Sequence, residues 1–182
     1  EGGGSIVMEP FLGNILWMLS SISASRRFRR ARRNPRRTQE EILDTFLRKN
    51  AGSDYGQKYD YASIASVEEF QKRIPVVTYE ELEPWIHRII EGEQGVLTSE
   101  PVLMLEKTSG SSGPAKYIPY TASLRSEFQN AVGVWLYDLY RNHKELYGGR
   151  QYWSISPAIQ DREVTAGGLP SGVAEAGECL GA

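Results

Sequence analysis

Between Ile6 and Ala24 apolar residues recur at three- and four-residue intervals, so that Leu12, Ile15, Leu16, Leu19 and Ile22 share one face of an amphipathic helix. Glu9, Pro10 and Asn14 interrupt the stretch, whose longest unbroken apolar run is Ile15 to Leu19, and the basic residues follow it. Both features argue against a membrane span or a signal peptide. Three hydroxyl residues, each with glutamate three positions on, then mark helix starts: Thr38 with Glu41, Ser66 with Glu69, and Thr78 with Glu81. The first helix runs to about Lys49 and places Ile42, Phe46 and Leu43, Leu47 at helical spacing. The second ends before Pro75, which disfavours helix at Ile74. The third buries Leu82, Trp85, Ile86, Ile89 and Ile90, is kinked or restarted at Pro84, and stops at Gly92, a left-handed cap position.

The texture then changes. Val102 to Leu105 and Lys116 to Tyr120 read as strands around a glycine-serine loop. A long helix from roughly Ala122 to Leu146 follows, with Leu124, Phe128, Val132, Trp135, Leu136 and Leu139 forming its buried stripe, and Gln151 to Ile155 reads as a buried strand. Helices first, then strands with a helix, predict an α/β fold with a helical N-terminal part. Residues 1–37 form an N-terminal amphipathic and arginine-rich segment, and residues 38–182 the main domain.

With 182 residues and 40% hydrophobic content, the chain can bury the core of one ordinary domain. Arg26 to Arg37 holds eight arginines and no acid, leaving 13 basic against 23 acidic residues elsewhere. A run of this kind is most simply a solvated helix face that compensates the acidic remainder; no nucleic-acid partner is expected, and a weak membrane-surface contact of residues 6–37 is the other use it could have. A lone cysteine, Cys179, excludes an internal disulfide and a multi-thiolate zinc site, and fits a reducing, cytoplasmic setting. His87 and His143 have no partners at metal-ligand spacing, and Ser154 and Ser156 lie in no G-x-S-x-G elbow.

The candidate chemistry lies in TSGSSGPAK. Thr108, Ser109, Ser111 and Ser112 supply hydroxyls, Gly110 and Gly113 let backbone approach an anion, and Lys116 adds a full charge at the loop exit. No glycine precedes Lys116, and Tyr117 stands where a nucleoside triphosphatase loop needs Ser or Thr; no G-x-G-x-x-G is present either. Spacing alone leaves two readings open, a phosphate cradle and a surface turn.

These nine residues resemble the phosphate-binding motif of the adenylate-forming superfamily, T-[SG]-G-[ST]-T-G-x-P-K, with Ala115 in place of the usual proline. The longer stretches FLRKNAGSDYGQKYDYASIASVEEFQKRIPVVTYEELEPWIHRIIEGEQGVLTSEPVLMLEKTSGSSGPAKYIPYT and GRQYWSISPA carry Y-G-x-x-Y, F-x-x-x-[IV]-P-[VL]-x-x-Y and I-x-x-G-E in order. Together they resemble the Gretchen-Hagen auxin-responsive family of acyl-acid amido synthetases, in its bacterial form, over about Gln39 to Gly168.

The resemblance implies a mixed sheet with flanking helices, like the start of an acyl-adenylate synthetase, incomplete at the C-terminus. It implies an ATP-dependent ligase that converts a small carboxylic acid to an acyl adenylate and passes it to an amine or amino acid. Thr108, Ser109, Gly110, Ser111, Ser112 and Gly113 would bind ATP phosphates, Lys116 would be the catalytic cation, and Mg²⁺ would be required alongside. Residues that hold adenine and ribose, and a mobile C-terminal domain, are expected beyond position 182, so the chain alone is not expected to turn over. An acyl-CoA-forming ligase is the alternative within this chemistry. A basic-tailed module binding nucleic acid or a membrane surface, with a merely structural serine loop, is the alternative outside it.

Overall fold

The structure, a computed structural model, describes residues 10–108, 115–151 and 163–172. Its helices are α1 (Pro10–Ser20), α2 (Ile22–Ala31), α3 (Pro35–Asn50), α4 (Asp54–Lys58), α5 (Val67–Arg73), α6 (Tyr79–Ile90) and α7 (Ala122–Asn142). The strands are β1 (Met104–Lys107), β2 (Tyr117–Tyr120), β3 (Glu163–Val164) and β4 (Pro170–Gly172). They form one mixed sheet in the order β2-β1-β4-β3, with β1 antiparallel to β2 and parallel to β4. The expected α/β class with flanking helices is what is found. The strand expected at Gln151 to Ile155 falls, after Gln151, outside the described residues.

The core centres on Ile89 of α6, Val96, Val102 and Leu105 of β1, with Trp85, Ile90, Leu97, Tyr117 and Leu169 packed against it. This cluster joins α6 to the sheet. The joint is closed at the far end of α6, where Gly92 (φ +97°) meets Gly167 and the Gly167 N–H donates to Ile90 O at 3.0 Å. A Cβ on Gly167 would overlap Gly92 N and the Glu91 carbonyl carbon, so only glycine allows this approach.

Two of the three expected helix starts are in place. Ser66 Oγ accepts the Glu69 N–H at 3.2 Å, and the Thr78 N–H donates to Glu81 Oε2 at 2.7 Å. α6 runs through Pro84 without a break. The third start differs: α3 begins at Pro35, capped by Asn34 Oδ1, which accepts from the Arg37 N–H at 3.2 Å. Asparagine followed by proline at the first helical position outcompetes the later hydroxyl. Thr38 therefore lies inside the helix and donates to Asn34 O, while Glu41 pairs with Arg37 at 2.8 Å.

The N-terminal helix also departs from expectation. It is divided at Ser21, and its inward residue is Asn14, while Leu12, Leu16 and Leu19 are exposed. Asn14 Nδ2 donates to Tyr147 O and Gly149 O, both at 2.9 Å, and Oδ1 accepts from Gln151 Nε2 at 2.8 Å. Those carbonyls belong to a 3-10 turn, Lys144–Gly148, and its cap, where the backbone has spare acceptors. Asn14 turns inward because it satisfies them.

On α7 the buried positions are Gly133, Leu136 and Tyr140, and Leu124, Phe128 and Trp135 of the expected stripe are exposed. α2 crosses α7 at Gly133, where a Cβ would lie 3.3 Å from Ser21 Oγ. The small residues Ser21, Ala24 and Gly133 let the two helices approach closely, and this contact, not the largest apolar side chains, sets the buried face.

Candidate functional site

The candidate loop is flanked by an antiparallel pair of strands. In β1 and β2, Leu105 pairs with Pro119, Glu106 with Ile118 and Lys107 with Tyr117. Beyond the strands the pairing continues through one residue on each side: the Thr108 N–H donates to Lys116 O at 2.9 Å, and the Lys116 N–H donates to Thr108 Oγ1 at 3.0 Å. Thr108 and Lys116 thus form the neck of the loop. Ser109, Gly110, Ser111, Ser112 and Gly113 lie outside the described residues.

Lys116 is held from one side by α6. Its Nζ lies 4.8 Å from the centroid of the Tyr79 ring and 3.6 Å from Glu80 Oε1. The Tyr79 hydroxyl accepts the Tyr117 N–H at 2.9 Å, which satisfies an amide on the outer edge of β2. The Glu80 carboxyl is held below the usual carboxylate range, first by its own backbone N–H, then by Thr78 and by the Lys116 charge. A lysine already partnered by an anion, and half exposed, is a chemical match for a phosphate oxygen, which would compete with Glu80 for the same ammonium. On the other strand Lys107 pairs with Glu163 at 3.4 Å.

Tyr79 and Glu80 were not among the residues singled out for chemistry. A signal for Tyr79 exists, because it closes F-x-x-x-I-P-V-x-x-Y, running from Phe70 through Ile74 and Pro75. Ile74 is extended (φ −93°, ψ 117°), so the segment between α5 and α6 delivers Tyr79 to the first turn of α6, facing β2.

The other two patterns build the support for α6. Tyr55 of Y-G-x-x-Y packs its ring against Tyr59, Tyr61 and Trp85, and burial, followed by Tyr59, pushes its phenol up to about 12. Its N–H donates to Val96 O at 3.0 Å. In I-x-x-G-E, Glu93 accepts from Arg88 Nε at 2.7 Å, and Arg88 also pairs with Asp54 of α4. Both fix the helix that carries Tyr79 and Glu80.

Among the described residues, no group of three or more His, Cys, Asp or Glu side chains could hold a metal ion, and no helix is long and apolar enough to cross a membrane.

The profile described as the GH3 family N-terminal domain matches residues 24–178. A jasmonoyl–L-amino acid synthetase of Nicotiana attenuata (JAR4) is 35% identical over 88 residues, covering 47% of this chain and 15% of that protein. An indole-3-acetic acid-amido synthetase of Arabidopsis thaliana (GH3.2) is 36% identical over 89 residues, covering 48% and 16%. The solved structure of GH3.15 acyl acid amido synthetase superposes with a TM-score of 0.67 at 26% identity, covering 77% of this chain and 25% of that one. These relatives do not bear out the bacterial form expected above. The chain spans about a quarter or less of the proteins it matches.

Proposed function

This chain belongs to the GH3 family through the N-terminal domain, and on that premise we propose that it supplies the triphosphate-binding half of an ATP-dependent acid–amino acid ligase. The observation that carries the reading is the neck geometry: Thr108 and Lys116 face each other across the hairpin, with the Lys116 ammonium presented by Tyr79 and Glu80. Ser109, Gly110, Ser111, Ser112 and Gly113, between them, are proposed to bind the β and γ phosphates of ATP.

In the first step a carboxylate of the acid substrate attacks the α-phosphorus, and pyrophosphate leaves with the bonding electrons. Negative charge builds on the departing oxygens, so a pre-positioned ammonium stabilises the transition state more than the ground state. Lys116 is the proposed catalytic cation. An amine of an amino acid then attacks the acyl carbon, AMP leaves, and an amide remains. Mg²⁺ would neutralise the phosphates when bound; the described residues offer it no cluster. Relatives named for jasmonoyl and indole-3-acetic acid conjugation support the acid-plus-amino-acid chemistry. With about a quarter of the matched length, this chain alone is proposed to bind ATP without completing the reaction.

Calorimetry with ATP tests this directly: the chain binds, and Lys116→Ala weakens binding roughly tenfold or more. Grafting Met104 to Tyr120 into a related amido synthetase should preserve acid-dependent ATP–pyrophosphate exchange. A graft dead in exchange although folded, or one whose exchange is undiminished by Lys116→Ala, removes the loop from this role.

A further inference from the structure

Two neighbouring helices expose unlike outer surfaces. α1 and α2 both pack on α7 or the turn after it, burying Asn14, Ser21, Ala24 and Ser25. Leu12, Leu16 and Leu19 point the other way on α1, four and three residues apart, and are 50%, 49% and 49% exposed. On α2 the same helical spacing places Arg26 and Arg30 opposite the buried Ala24 and Ser25. Arg27 and Arg29 are committed to α7, through Asn130 and the Tyr137 ring. Arg26, Arg30, Arg32 and Arg33 have no acidic partner among the described residues, whereas Arg36 and Arg37 pair with Glu40 and Glu41.

The leucine ridge lies before residue 24, where the family match begins. A surface complementary to both halves must be apolar and anionic at once. The headgroup boundary of an anionic bilayer has that combination, and an amphipathic helix with arginines on hand is suited to it. α1 has 11 residues, about 16 Å of helix, well short of the roughly 30 Å hydrocarbon core, so contact is peripheral.

We propose that residues 10–33 form a docking surface for anionic lipid bilayers. Leu12, Leu16 and Leu19 enter the headgroup–acyl boundary, and Arg26 and Arg30, with Arg32 and Arg33, pair with lipid phosphates. The residues of this surface are not those of the nucleotide loop, and their role does not depend on the ligase reading.

Flotation of the chain with vesicles provides the test, using phosphatidylcholine alone and equal parts of phosphatidylcholine and phosphatidylglycerol. Binding to the mixed vesicles only, with release by added salt, is expected. Leu16→Glu and the pair Arg26→Glu with Arg30→Glu should each lower the bound fraction about tenfold or more. Leu124→Glu, on the exposed side of α7, should leave it unchanged. Circular dichroism checks each variant, and Leu16→Gln replaces Leu16→Glu if helix is lost. Equal binding to uncharged vesicles, no binding to either, or full binding by a folded Leu16 variant overturns the proposal. So does a dimer that Leu16→Glu splits without any vesicle binding, which would assign the ridge to a second copy. Capture of duplex DNA that ignores Leu16→Glu, again without vesicle binding, would assign the arginines to nucleic acid.

Discussion

Lys116 sits between the Tyr79 ring and the Glu80 carboxylate, whereas Arg26, Arg30, Arg32 and Arg33 face no acid among the described residues. The first is a single cation fixed by a helix whose other end is locked to the sheet. The second is a field of charge on the outside of a helix that is held only by its inner face. A positioned cation can discriminate between ground and transition state; a diffuse one attracts anionic surfaces and is weakened by salt. Charge count favours the arginines as the notable feature of the chain, but partners distinguish the two roles.

The contrast is broken most severely at the joint behind Lys116. Gly167→Ala forces a Cβ into Gly92 and Glu91, and a loss of about 3 kcal/mol is expected, read by denaturant unfolding. If stability is unchanged, α6 is not locked to the sheet through this approach. On the other side, Asn14→Ala removes the donor shared by Tyr147 O and Gly149 O and should cost about 2 kcal/mol. A thermal melt that does not move would mean that α1 owes its inward face to something else.

Tyr79→Phe is a finer probe. It keeps the ring beside Lys116 and deletes the acceptor for the Tyr117 N–H, so about 1 kcal/mol is expected, with faster amide exchange at Tyr117. Equal exchange in the two proteins would detach Tyr79 from the hairpin. The smallest effect is on pH dependence. Glu80 is depressed in the folded chain, so the stability it contributes is present above the unfolded carboxylate value and is lost as pH falls through its lower folded value. Carboxyl NMR titration of Lys116→Met should show Glu80 moving up toward the ordinary range, by less than loss of its backbone hydrogen bond would produce.

Much of the local structure was legible. The boxes at Ser66 and Thr78 and the helix break before Pro75 depend on interactions within a few residues, and they stand as read; the strands around the serine loop are present too, the first shifted from Val102–Leu105 to Met104–Lys107. The errors concern which side of an element is covered. Leu12, Leu16 and Leu19 have ideal spacing for a buried face, and so do Leu124 and Phe128, yet all are exposed. Helical periodicity shows which residues share a face but carries no information about what lies opposite it. The start of α3 was misplaced for a different reason, because two local signals competed and Asn34 with Pro35 prevailed.

Residue order by itself determined the α/β class, the caps at Ser66 and Thr78, two strands around the serine loop, and the family, since each is written in short-range spacing or in patterns of residue type. Tertiary structure alone decided that Tyr79, 38 residues from Tyr117, holds the loop exit and that Glu80 partners Lys116. It also decided that a buried asparagine turns the leucines of α1 outward. Such contacts join residues distant in the chain, and they are chosen by whichever donors, acceptors and small side chains the packed helices bring within reach.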